Sequence, residues 1–399
     1  MEKAILPKGD NRIRTIDILR ALTMFLMIFV NDLWSLTGVP QWLEHALATE
    51  DRMGFSDVIY PLFLFIVGLS IPLAINIRFK KKEARPQIVW HILVRTVALL
   101  VMGLYMVNFE TIFSEEMPIG KYIWEILMAI GIFLIWMDYR RIPGLSNGLA
   151  TGLKGLGILL LVYLAWIYKG GSAENTIWMR PQWWGILGLI GWAYLLNGLI
   201  FLFAGKRWTY LMIAFILLLF MNIQENGIFE FLPGFKLVIS ASNHVLVMAG
   251  VLCTVFYLKS AKEERSLNRF LWLVAIAGLC FMAYGFAIRP AFPISKILAT
   301  PSWTAICIGI GFLSYALLYV LVDKLGFYKW ASPIKPAGTS TLTCYLIPYF
   351  IYPIMALSGF RWPDFLSHGI LGIVKSLLFS LVIIVFVGVL ERRNIRLRI

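Results

Sequence analysis

The stretches RIRTIDILRALTMFLMIFVN (residues 12–31) and SDVIYPLFLFIVGLSIPLAI (residues 56–75) decide the fold. Each is almost continuously apolar, and at about 1.5 Å per helical residue each is long enough to cross the roughly 30 Å hydrocarbon layer of a bilayer. Asn31 closes the first run, Ser56-Asp57 opens the second, and the polar segment between them carries His45. Groups that handle protons or hydrogen bonds are costly in lipid unless they face protein, water or a ligand. Their gathering around one membrane boundary marks a functional site.

The rest of the chain extends the pattern. Of its 399 residues, 60% are hydrophobic and 15% charged, with mean hydropathy +0.79, against an apolar share of about 45–50% in soluble domains. Apolar runs recur near 15–37, 57–77, 88–107, 121–137, 148–168, 183–204, 208–222, 239–258, 270–288, 302–322, 336–357 and 368–390. The expected fold is all-α, a polytopic membrane protein of about twelve transmembrane helices, with residues 1–399 forming a single transmembrane domain. Residues 1–14 are expected as a short basic cytoplasmic N-terminus and 391–399 as a basic cytoplasmic tail. The first apolar run is too long for a signal-peptide core and lacks a small-residue cleavage site, so it is expected to stay as an anchor.

Lys and Arg set the expected orientation, because cytoplasmic loops hold the excess. The N-terminus, the loops after the second, fourth, sixth, eighth and tenth runs, and the tail hold 24 basic residues, against eight in the alternate loops. Both termini are therefore expected in the cytoplasm and His45 outside. The net charge of +14 is spread over short loops, which suits topology and anionic lipid rather than nucleic acid. Cys253, Cys280, Cys307 and Cys344 all fall in apolar runs and read as packing residues, with no disulfide or metal-site spacing. Trp and Tyr at the run ends suit headgroup anchoring.

On a helix with about 100° per residue, Asp17, Arg20, Met24, Met27 and Asn31 share one narrow face, with Asn31 roughly 16 Å beyond Arg20. That face suits the lining of a channel across much of the bilayer, or else Asp17 and Arg20 form an interfacial ion pair. An imidazole such as His45 suits general-base chemistry near neutral pH. Asp57 reads either as a carboxylate that orients this imidazole or as a helix N-cap, and Asn31 as an amide donor to a developing oxyanion. Among other polar residues in the runs, Glu125 and His244 are the foremost cavity candidates, beside Arg95, Lys154, Asn243 and Lys375.

The blocks Arg12-Ile-Arg-Thr-Ile-Asp17-Ile-Leu-Arg20-Ala, Met27-Ile-Phe-Val-Asn31, His45-Ala and Ser56-Asp57-Val-Ile-Tyr-Pro61 through Gly68 resemble the opening of the heparan-α-glucosaminide N-acetyltransferases and their bacterial relatives. Weaker echoes are Pro293-Ile-Ser-Lys296 with Ser302-Trp303, and Pro336-Ala-Gly338-Thr-Ser340 through Tyr345. The resemblance implies acetyl transfer from cytoplasmic acetyl-CoA to an amino sugar or oligosaccharide on the far side of the membrane. It implies His45 as catalytic base or transient acetyl carrier, with Asn31 and Asp57 in the same site, and a homodimer as a possible assembly. Arg12, Arg14 and Arg20, with Asp17, are the corresponding candidates for the CoA site, since guanidinium groups grip phosphate in bidentate fashion.

The segments on either side of His45 are longer than in the lysosomal enzyme, the runs near 148–204 have no clear counterpart, and a soluble luminal domain is absent. Ten family-like helices plus an extra pair, in a bacterial inner membrane, is the corresponding expectation. The competing reading is a twelve-helix secondary transporter for a sugar or organic anion, with Asp17, Glu125 or His244 relaying protons. No inverted or parallel halves of the kind common in transporters stand out.

Overall fold

The computed structural model describes residues 13–227, 237–261 and 263–399. Every one of the twelve apolar runs is helical. They form α1 (Arg14–Asp32), α2 (Ser56–Lys80), α3 (Arg85–Phe109), α4 (Lys121–Trp136), α5 (Asn147–Trp166), α6 (Gly185–Ala204) and α7 (Trp208–Glu225). After these come α8 (Ala241–Ser260), α9 (Glu264–Ala287) and α10 (Pro301–Tyr319). The run expected at 336–357 is broken into α11 (Lys335–Thr339), α12 (Thr341–Leu346) and α13 (Pro348–Ser358), and α14 (Gly369–Arg392) closes the chain. The second break falls at Pro348, which lacks the N–H a continuous helix needs; the first falls at Ser340, with φ −126° and ψ 43°.

Ten of these helical segments are long and apolar enough to cross a membrane among the described residues. Two of the twelve runs fall outside that count: α1, which carries Arg14, Asp17, Arg20 and Asp32, and α4, which has only 16 residues. The protein is all-α and integral to the membrane. Its strands among the described residues are a small hairpin, β1 (Gly170–Ser172) antiparallel to β2 (Asn175–Ile177), in the loop after α5.

Lipid gives helices no hydrophobic reason to associate, so they pack through close backbone approach. The packing of α2 on α8 illustrates this: a Cβ built on Gly68 would overlap the Val247 carbonyl, and one on Gly250 would overlap that of Phe65. α8 is accordingly the central helix, with 89% of its apolar window buried, whereas α5 buries only 17% of its own and lies at the edge. α5 docks on α4, where a Cβ at Gly157 would come within 2.9 Å of the Gly131 carbonyl. A π-helical turn, Val320–Lys324, extends α10. Its Asp323 accepts from the Thr15 amide at 3.1 Å and from the Thr15 hydroxyl, satisfying a backbone donor left free at the start of α1.

The terminal basic segment does not hang free. The Leu397 amide donates to Thr343 Oγ1 at 3.0 Å and the Arg398 amide to the Trp136 carbonyl at 2.8 Å, while Asp138 gathers Arg141, Arg396 and Arg398.

Candidate functional site

Local folding brings His45 to Asp57. The segment before α2 turns back on itself: the Phe55 amide donates to the Trp42 carbonyl at 2.7 Å and the Ser56 hydroxyl to the Leu43 carbonyl at 2.6 Å. Gly54 is needed there, since a Cβ would collide with the Glu44 carbonyl. The fold-back sets His45 Nδ1 2.7 Å from Asp57 Oδ1, with Asp57 Oδ2 accepting from the amides of Ala46 and Gly54, both at 3.0 Å. Asp57 is not the N-cap. Phe55 holds that position without a side-chain cap, and Asp57 lies inside the first turn of α2, where the helix dipole favours its negative charge.

Asp57 is 1% exposed and His45 50%, so one partner is locked and the other reaches open space. That space is a cavity of about 860 Å³, lined by Asn31, Glu44, His45 and Ser56 together with Glu110, Glu125, Trp34, Trp183 and Tyr349. Asn31 is exposed at the last turn of α1, so Asn31 and His45 border one cavity, while Asp57 lies buried behind His45 and meets the cavity only through it. Glu125 is buried at its wall and makes no hydrogen bond among the described residues. Burial pushes the Glu110 carboxyl above its ordinary range, against the opposing pull of the Trp183 indole and Lys121.

A second cavity, of about 500 Å³, lies toward the other end of α1 and is lined by Asp17, Arg20, Met24, Met27, Ser70, Arg95 and Ser340. The polar stripe of α1 thus borders both cavities. Ile186 on α6 and Tyr345 on α12 line the two alike, so the cavities meet back to back there. Arg20 is held by Asp17 at 3.3 Å, the Ser70 hydroxyl at 2.7 Å and the Gly338 carbonyl at 3.4 Å. Arg95 stacks over Tyr194 at 4.9 Å, and the Ser340 hydroxyl is buried without a partner among the described residues. Leu397, Arg398 and Ile399 complete the wall.

Other expected residues go elsewhere. Arg14 stacks on Tyr328 at 4.5 Å and lines neither cavity, and Arg12 lies outside the described residues. His244 is buried away from both cavities, and Lys154 stands over Tyr139. Lys375 pairs with Asp32 at 2.9 Å.

Two residues near this cavity escaped the sequence reading. Lys296, in the loop between α9 and α10, puts Nζ 3.2 Å from His45 Nδ1 and 3.7 Å from Asp57 Oδ1. Burial draws its ammonium below the ordinary lysine range, with Asp57 pulling the other way. The Pro293-to-Trp303 echo contained Lys296 but gave no sign that it folds onto His45. Asp32, next to Asn31, went unread because its partners lie in α13 and α14.

The fold and this arrangement define a polytopic membrane protein with a histidine–aspartate pair in one cavity and arginines in a second that abuts it. No family model matches the sequence. It is similar to heparan-alpha-glucosaminide N-acetyltransferase of Homo sapiens, 26% identical over 188 residues, and of Mus musculus, 29% identical over 187. Each match takes in 45% of this chain and 25% of the relative, so the chain spans about a quarter of the length of the curated relatives it matches.

Proposed function

We propose that the protein is a transmembrane acetyltransferase, moving an acetyl group from cytoplasmic acetyl-CoA to an amino sugar or glycan on the other side of a bacterial inner membrane. The observation that carries this reading is the pair of cavities meeting at Ile186 and Tyr345, one holding the His45–Asp57 pair and the other Arg20. A donor and an acceptor that approach from opposite faces need such a meeting point. Similarity to an acetyltransferase, though over a minority of the chain, supports the same reading.

Acetyl-CoA is the substrate on the Arg20 side, where Arg20 and Arg95 are the cations for its phosphates, with Asp17 holding Arg20 in place. On the other side Asp57 engages His45 Nδ1, which leaves Nε2 for chemistry. In direct transfer Nε2 takes the proton of the acceptor amine or hydroxyl as that atom attacks the thioester carbon. The proton then goes to the departing CoA sulfur as the tetrahedral intermediate collapses. In the two-step variant Nε2 itself attacks and CoA leaves as the thiolate; the acceptor then takes the acetyl group from the acetyl-imidazolium, and the proton it gives up balances the thiolate. Asn31 is the donor to the oxyanion in either case, and acid-quenched protein carrying label on His45 would distinguish them.

The test is transfer of radiolabelled acetyl from acetyl-CoA to glucosamine by detergent-purified protein, together with thermal stability in acetyl-CoA. Wild type is expected to transfer and to be stabilised, and His45→Ala to be stabilised but inactive. No stabilisation and no transfer, with uptake of a sugar or organic anion into proteoliposomes, would make it a transporter instead.

A further inference from the structure

Two side chains that can carry positive charge compete for one oxygen of Asp57. Oδ2 is filled by the amides of Ala46 and Gly54, so Oδ1 alone remains, and both His45 Nδ1 at 2.7 Å and Lys296 Nζ at 3.7 Å converge on it. Lys296 Nζ also lies 3.2 Å from the same imidazole nitrogen. The loop that brings Lys296 there is pinned to the His45 segment. Arg289 Nε donates to Asp51 Oδ2 at 2.8 Å, and the Ile294 amide to Asp51 Oδ1 at 2.7 Å. From the first turn of α10, Ser302 Oγ donates back to the Pro293 carbonyl of the loop at 3.2 Å, so the two motif fragments form one unit.

We propose that Lys296 is a positioning residue that partly neutralises Asp57 and so limits how firmly His45 holds a positive charge; this rests on the acyltransferase reading above. An imidazole backed by an unpaired buried carboxylate keeps whatever proton or acetyl group it has acquired. One backed by a carboxylate already shared with an ammonium lets it go, which every turnover requires. Lys296 does not line the His45 cavity, so it acts through the pair rather than on the substrate. The other titratable or charged groups around the pair are the Cys307 thiol of α10 behind it, Glu44 beside His45, and the Asp51–Arg289 ion pair.

The experiment uses full-length protein with 15N-labelled histidine, comparing wild type, Lys296→Met and Lys296→Arg. The sequence has four histidines, so His45→Ala assigns the signal. In Lys296→Met the His45 ring signal is expected to keep its protonated form to higher pH than in wild type, and the acid limb of the transfer profile to move with it, so that activity lost at neutral pH returns in alkali. Lys296→Arg should restore both. An unmoved titration in Lys296→Met, with activity lowered equally at every pH or not at all, overturns the proposal and leaves the acyltransferase reading standing. Wild type that transfers no acetyl group overturns both.

Discussion

Asp57 and Asp32 are both buried near the His45 cavity, and each is matched by a lysine from a distant part of the chain. Asp57 shares its free oxygen between Lys296 and a half-exposed histidine. Asp32 is closed on all sides: it accepts from Lys375 at 2.9 Å, Tyr352 at 2.8 Å and the Ser376 hydroxyl, and Lys375 also donates to Ser35 at 3.1 Å. Asp32 and Lys375 are 3% and 6% exposed. A carboxylate whose partner is an imidazole open to the cavity is arranged for chemistry; one neutralised by a buried ammonium joins α1 to α13 and α14, although its Tyr352 partner lines the same cavity.

The sharpest separation should come from removing each charge. Asp57→Asn is expected to lower acetyl transfer by about 10²–10⁴-fold, the range for a proton-transfer group, with a smaller change in melting temperature than Asp32→Ala. Asp32→Ala strands a buried ammonium and is expected to cost about 3–5 kcal/mol in stability, measured by denaturation in detergent, with turnover per folded molecule kept. Replacing both partners, Asp32→Leu with Lys375→Met, should return most of that loss. If Asp32→Ala abolishes transfer without loss of stability, the distinction between the two aspartates fails.

The Arg20 end extends the comparison with a smaller effect. Loss of a charge-assisted contact costs about 1.5–3 kcal/mol, so Arg20→Ala should raise KM for acetyl-CoA at least about tenfold while kcat holds, in steady-state assays. The smallest effect concerns Asp51. Burial pushes its carboxyl up, but the Ile294 amide and Arg289 together outweigh that and hold it below the ordinary range. A depressed carboxylate adds stability that is present above its unfolded-state pKa and lost as pH falls through the folded one. Asp51→Asn should therefore melt lower than wild type at neutral pH, by no more than about 1 kcal/mol for so exposed a pair, and the gap should close below about pH 4. Melting curves from pH 3 to 7 would check it.

Much of the His45 side was legible because its determinants are local. His45 and Asp57 are twelve positions apart, within one fold-back, and Asn31 ends the preceding helix. The periodicity of α1 correctly put Asp17, Arg20, Met24, Met27 and Asn31 on a cavity-facing stripe. Arg14, grouped with Arg20 by its nearness in sequence, turns to another face of α1 and stacks on Tyr328. His244 was an equally natural choice on polarity alone, yet α8 is buried nearly all round and its imidazole faces packing.

Hydropathy and charge are properties of short stretches, so the sequence by itself determined that the chain lies in a membrane, where its helices run, and that residues 12–75 gather polar and charged groups around one helix pair. The tertiary structure alone decided that Lys296 reaches His45 across 251 positions, that Lys375 reaches Asp32 across 343, and that two cavities meet at Ile186 and Tyr345. In lipid a helix is apolar on every face, so its sequence carries little record of which side turns inward. Such meetings are set by how closely backbones approach, as at Gly68 and Gly250, once all the helices are packed together.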